Sequence, residues 1–132
     1  MCWTNYMAIP LVLKKPLRVY KVGTLSILGG FISLFRDFRY HESQTMPTVK
    51  INPEFIRCLP IFGHQNELWS YDNFYIYEGY HSYLTKEIAK CNMDEYDDIG
   101  IFEIPVGATV YINFRHREVV STNIKYLGLL EL

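Results

Sequence analysis

The residue types that move protons and stabilise charge gather at two places in this chain. The first is Glu78-Gly79-Tyr80-His81-Ser82-Tyr83, which runs directly into a helix-compatible stretch from Thr85 to Asn92. A polar turn that feeds a helix is a common ligand position, because the first backbone N–H groups of a helix are unpaired and attract anions. The second is Arg115-His116-Arg117-Glu118, which opens the strand-like Glu118-Val119-Val120-Ser121. An arginine beside Glu118, either Arg115 or Arg117, would hold that carboxylate ionised. Together the clusters predict a pocket faced by a hydroxyl, an imidazole and a carboxylate.

Several chemistries are disfavoured at once. His81 and Ser82 are adjacent, and neighbours on a regular strand point to opposite faces, so they cannot pair as base and nucleophile. No G-x-S-x-G elbow surrounds Ser82. The four histidines, His41, His64, His81 and His116, have no metal-ligand spacing, and no metal is expected. The acidic run Asp94-Glu95-Tyr96-Asp97-Asp98 lacks the glycine and spacing of a calcium loop and reads as a solvated loop. Gly23, Gly29 and Gly30 match neither phosphate-binding fingerprint.

The elements that must position these residues read mainly as strands. Leu17 to Val22 alternates like a half-buried strand. Leu25–Leu28 and Phe31–Leu34 flank Gly29-Gly30, a hairpin signal because the favoured two-residue turns need positive φ. Phe35 to Tyr40 continues the strand, and Thr48 to Ile51 is a short one. Pro53 could open one helical turn, and Asn73 to Tyr77 is strand-like before a bend at Gly79. Thr85 is the expected N-cap of the one clear helix, with Ile88 and Cys91 expected to face the core. Ile99–Ile104, Thr109–Ile112, Glu118–Ser121 and Asn123–Leu127 complete the strands, with Pro105 to Ala108 as a turn. The expected fold is therefore α+β: strand-dominated, a mostly antiparallel sheet with one clear short helix. An N-terminal arm spans 1–16 and a single globular domain 17–132.

Composition bounds the function. The 132 residues are 49% hydrophobic and 20% charged, enough for a core without disulfides or metal. The 11 tyrosines suit a β-rich fold with half-wet faces, or an interaction surface. A net charge of −1 makes nucleic acid an unlikely partner, although the first forty residues are basic and the 87–103 segment acidic. Cys2, Cys58 and Cys91 are an odd set without C-x-x-C spacing, which fits a reducing cytoplasm. The apolar run Met7–Leu13 is too short to span a bilayer and is broken by Pro10, so no membrane is expected.

Two resemblances extend this reading. The order Arg18-Val19-Tyr20, then Gly79-Tyr80-His81-Ser82 into a helix, then a strand led by Glu118 resembles the ADP-ribosyltransferase superfamily. The tail from Glu118 to Leu127 is similar to the closing strands of its poly(ADP-ribose) polymerase branch. That resemblance implies a split, strand-rich α+β fold with NAD as cofactor. Arg18 or Tyr20 would contact NAD, Ser82 would line the nicotinamide ribose, His81 would border the cleft, and Glu118 would act as the catalytic carboxylate. The chain departs from the family where Tyr20-Lys21-Val22-Gly23 replaces a His-Gly or Arg-Gly start, and where no Ser-Thr-Ser run follows Gly79.

The chain also resembles small uncharacterised proteins of gut Bacteroidales and their bacteriophages. The shared features are Met1-Cys2-Trp3, the block Gly79–Tyr83, Ile104-Pro105-Val106-Gly107 and Glu118–Ser121. This implies a phage or bacterial cytoplasm and carries no activity of its own. The leading expectation is an accessory protein that binds or inhibits a host protein through a Tyr-rich surface, with no cofactor. The alternative is an ADP-ribosyltransferase-like NAD or nucleotide domain, catalytic or degenerate. Oligomeric state stays open.

Overall fold

The strand that begins at Leu17 is the hub of the computed structural model, which describes residues 10–34, 39–51, 54–57, 72–76, 78–114 and 116–132. In chain order the strands are β1 (Leu11–Val12), β2 (Leu17–Leu25), β3 (Phe31–Ser33), β4 (Arg39–Tyr40), β5 (Glu54–Arg57), β6 (Asp72–Tyr75) and β7 (Tyr80–Tyr83). Helix α1 (Lys86–Cys91) follows, then β8 (Asp98–Ile104), β9 (Thr109–Asn113), β10 (Glu118–Ser121) and β11 (Lys125–Leu129). Among the described residues every strand pairing is antiparallel and α1 is the one helix. The fold is thus strand-dominated, with a mostly antiparallel sheet and one short helix.

Nine strands form one sheet, seven of them in the order β1-β9-β10-β7-β2-β3-β4 with β8 and β11 branching off β2, and β5 and β6 pair separately. Gly23 pairs with both Ser33 and Asp98, and Tyr20 with both Tyr83 and Ile101. One edge of β2 is therefore shared by β7 and β3, while β8, with β11 beyond it, lines the other. After β4 the chain turns along β11: Ser43, Met46 and Val49 donate backbone hydrogen bonds to the carbonyls of Tyr126, Ile124 and Thr122 at 2.9, 3.0 and 2.9 Å. The sheet curls around one face as a result.

That inner face holds the main core. Leu17, Val19, Lys21 and Gly23 point inward, alternating with Arg18, Tyr20 and Val22. Phe102 meets Tyr40 edge-on at 4.9 Å and Tyr126 at 5.1 Å, and Phe31 stacks on Tyr126 at 5.4 Å. The rings leave no room at the hub: a Cβ on Gly23 would collide with the Ile32 carbonyl and the Phe31 ring. Tyr80 reaches across to donate its hydroxyl to the Pro47 carbonyl at 2.6 Å.

Helix α1 covers part of the outer face. Thr85 caps it as expected, its Oγ1 accepting from Ile88 N at 3.3 Å. The core-facing residue is Ala89, whereas Ile88 is half-buried and Cys91 exposed. Ala89 packs on Val22 and Ile99.

Other local expectations also shift. Gly29 and Gly30 have φ of +95° and +87°, as a hairpin turn requires. The strands end earlier than expected, however, and the loop spans Ser26 to Gly30. Ser26 N donates to Gly30 O, Gly29 N to Ser26 O, and Leu28 N to Ser26 Oγ at 3.2 Å. These bonds close the turn on itself and leave Ile27 and Leu28 outside the ladder. Glu54–Arg57 forms strand β5, paired with β6, rather than a helical turn. Pro53 itself and residues 35–38 lie outside the described residues. The end of the N-terminal arm joins the sheet, with Leu11 opposite Val110 and Val12 opposite Thr109. No helix among the described residues is long and apolar enough to cross a membrane.

Candidate functional site

Strand register decides which of the sequence-selected residues meet. Asn113 lies opposite Glu118, Glu118 opposite Tyr83, and Tyr83 opposite Tyr20, so four strands contribute one continuous row. Directly paired residues share a face, so all four point to the outer side of the sheet. Arg18 is two residues before Tyr20 on that side, and His81 two before Tyr83. Four selected residues, Arg18, Tyr20, His81 and Glu118, therefore share one surface. At about 4.8 Å per strand, Glu118 and Tyr20 stand roughly 10 Å apart with Tyr83 between them.

Ser82 is not on that surface. It lies opposite Val119 and points into the core, where it is 5% exposed. The period-2 alternation that separates it from His81 also separates it from Glu118 and Tyr20. A single cleft lined by Tyr20, Ser82 and Glu118 does not form.

The surroundings define what the row can do. Arg18 is exposed and faces Glu103, which in turn faces Lys125, so its cross-strand acid is Glu103 rather than Glu118. Glu118 is half-buried at the end of the β9–β10 turn, where Arg117 adopts φ +53°. Arg115 lies outside the described residues. Asn113 is buried at the end of the row; its Oδ1 accepts from His116 N at 3.1 Å, while Nδ2 has no hydrogen-bond partner among the described residues. The side of the row towards Val120 and Tyr111 is covered by Ile51 and Ile76. Tyr20 and Tyr83 are half-buried and pack against the Val22, Ala89 and Ile99 cluster under α1, so the row offers two partly covered phenols beside the half-buried Glu118 carboxylate. Among the described residues no three His, Cys, Asp or Glu side chains converge as a metal set would.

Two features escaped the sequence reading. The first is Lys21, 3% exposed on the inner face, with Nζ 5.2 Å from the centre of the Tyr40 ring and 5.7 Å from that of Phe102. Burial alone lowers its pKa from 10.5 to about 7. The signal was present: Lys21 is in phase with Leu17 and Val19, so alternation alone sends it inward. Burial likewise pushes Tyr40 above the usual phenol range, with the nearby Tyr80 adding to the effect.

The second is the hairpin tip. Ile27 is 104% exposed and Leu28 83%, with Leu25 and Leu34 also exposed at the base. Among the described residues, most tyrosines are instead buried or half-buried. Tyr40, Tyr80, Tyr111 and Tyr126 are buried, Tyr20 and Tyr83 half-buried, and Tyr96 stands exposed. Among the described residues the exposed apolar surface at this end is aliphatic, and Tyr40, Tyr80 and Tyr126 serve as core.

Comparison with protein-family models, curated proteins and solved structures gives no match.

Proposed function

We propose that this chain is a small binding module that docks a protein partner through the β2–β3 hairpin. One observation carries the reading: Ile27 and Leu28 protrude from the turn, above exposed Leu25 and Leu34. Fourteen consecutive residues, Val22 to Phe35, carry no charge. Contiguous exposed apolar patches on soluble proteins mark interaction sites, and an aliphatic anchor buried in a partner's pocket can form the centre of an interface. The resemblance to small Bacteroidales and phage proteins supports a bacterial cytoplasm as the setting and a host component as the partner.

The test is Ile27→Asp with Leu28→Asp. Both side chains are in water in the free protein, so the variant should unfold at the same temperature as wild type while losing its partner. Partner binding that survives both aspartates refutes the proposal.

A second reading draws support from the row of Tyr20, Tyr83 and Glu118 with Arg18 alongside. Under it, this face holds a nucleotide such as NAD, in the manner of a catalytic or degenerate ADP-ribosyltransferase. The inward-facing Ser82 weighs against it. Ligand at a hundred times its dissociation constant should stabilise the protein by roughly 2.7 kcal/mol. A flat thermal-shift response to NAD and ADP-ribose removes this reading.

A further inference from the structure

The charges around the hairpin discriminate between the surfaces it could enter. Gly23 of β2 pairs with Asp98 at the start of β8, so the turn before β8 lies at the same end of the sheet as the tip. That turn carries exposed Asp94 and Glu95, and half-buried Asp97, whose Oδ2 accepts from Asp94 N at 2.8 Å. On the other side Leu25 pairs with Phe31 and Phe31 with Tyr40, which brings exposed Glu42 to the same end. Glu42 and Asp98, at this mouth of the sheet, both raise the Tyr126 pKa, after burial. β11 runs towards this mouth as well, with Leu130 N bonded to Ile99 O and exposed Glu131 following. Six carboxylates, Glu42, Asp94, Glu95, Asp97, Asp98 and Glu131, therefore lie at the same end of the sheet as the apolar tip. Against them stand Arg39, whose side chain lies beside Gly30, and Lys90 in the last turn of α1.

We infer, resting on the binding-module reading, that the partner is a protein with an apolar pocket for Ile27 and Leu28 rimmed by lysine and arginine. Charges within about one Debye length, ~8 Å at physiological salt, still act on a docking surface. An anionic bilayer or a nucleic acid would be repelled by the same carboxylates that a basic rim attracts. The apolar tip supplies the anchor, and the carboxylates supply orientation and association rate.

The experiment places the photo-cross-linker p-benzoylphenylalanine at position 28 of the full chain in bacterial cells. The cross-linked protein is identified, purified and measured against wild type, Leu28→Asp, and a triple variant Glu42→Gln, Asp94→Asn, Glu95→Gln. The triple variant spares Asp97, which holds the turn. The expected result is loss of binding with Leu28→Asp. The triple variant should lose roughly tenfold or more in association rate at low salt, a gap that closes as salt rises. Binding lost with Leu28→Asp but unchanged or tighter in the triple variant overturns the basic rim and leaves the hairpin reading intact. Absence of a cross-linked protein, or unchanged binding with Leu28→Asp, overturns both. Co-sedimentation with phosphatidylglycerol vesicles that Leu28→Asp abolishes overturns the protein partner in favour of a lipid surface.

Discussion

Replacing Lys21 with methionine should stabilise this protein, and the gain should depend on pH in a defined way. Lys21 is enclosed by the aromatic core, and desolvation alone brings its pKa from 10.5 to about 7. A lysine with a lowered folded-state pKa carries its full penalty below that value, and the penalty is relieved as pH climbs towards the unfolded pKa. The difference of 10.5 − 7 = 3.5 units, at about 1.4 kcal/mol per unit, caps the penalty near 5 kcal/mol. At pH 7, where the folded amine is half-protonated, the same linkage leaves about 4 kcal/mol, and at pH 10 less than about 1. The contacts of the ammonium with Tyr40 and Phe102 offset part of this, about 1 kcal/mol. Methionine keeps the unbranched stem and much of the volume while removing the amine. The variant should therefore be more stable by roughly 2–4 kcal/mol at pH 7, about 10 °C in Tm for a domain of this size. Urea unfolding followed by far-UV circular dichroism from pH 6 to pH 10 measures it. The wild type should approach the variant as pH rises. Tyr40, Tyr80 and Tyr126 have raised pKa values and lose stability above pH 10, but they are common to both proteins and cancel in the difference. A Lys21→Met protein less stable than wild type, by an amount constant from pH 6 to pH 10, would refute the reasoning.

Three further outcomes are expected. Gly29→Val with Gly30→Val should destabilise the fold by roughly 1–3 kcal/mol per residue, because both φ values are positive and a Cβ on Gly30 would sit 2.8 Å from the Tyr40 carbonyl; an unchanged urea midpoint contradicts this. Thr85→Ala should cost about 1 kcal/mol through loss of the bond to Ile88 N, and equal midpoints for variant and wild type would show that the cap contributes nothing. Glu118→Gln should leave partner binding unaltered if the hairpin is the working surface; if NAD is consumed instead, the rate should fall by several orders of magnitude with nucleotide binding retained.

Much of the scaffold is a local property and was legible in the chain. Paired glycines need positive φ, Thr85 can cap a helix, and alternation from Leu17 marks a strand, whatever the rest of the molecule does. The strand-rich, antiparallel character follows from those short-range rules. Register is different, because a pairing between distant segments cannot be read from either segment alone. It took β7, β10 and β2 in contact to set Glu118 beside Tyr83 and Tyr20, and to turn Ser82 away from them. The tyrosines show the same limit: their number signals aromatic area, but the curl of the sheet sends Tyr40, Tyr80 and Tyr126 inside. Lys21 lies between the two cases. Its inward phase is written in the alternation, while the cost of that position comes from Tyr40 and Phe102, rings contributed by β4 and β8. Ile27 and Leu28 look like strand residues by type, yet the bonds between Ser26, Gly29 and Gly30 exclude them from the ladder and leave them in solvent. Their availability to a partner is thus a consequence of how the turn closes, which hydrophobicity alone does not determine.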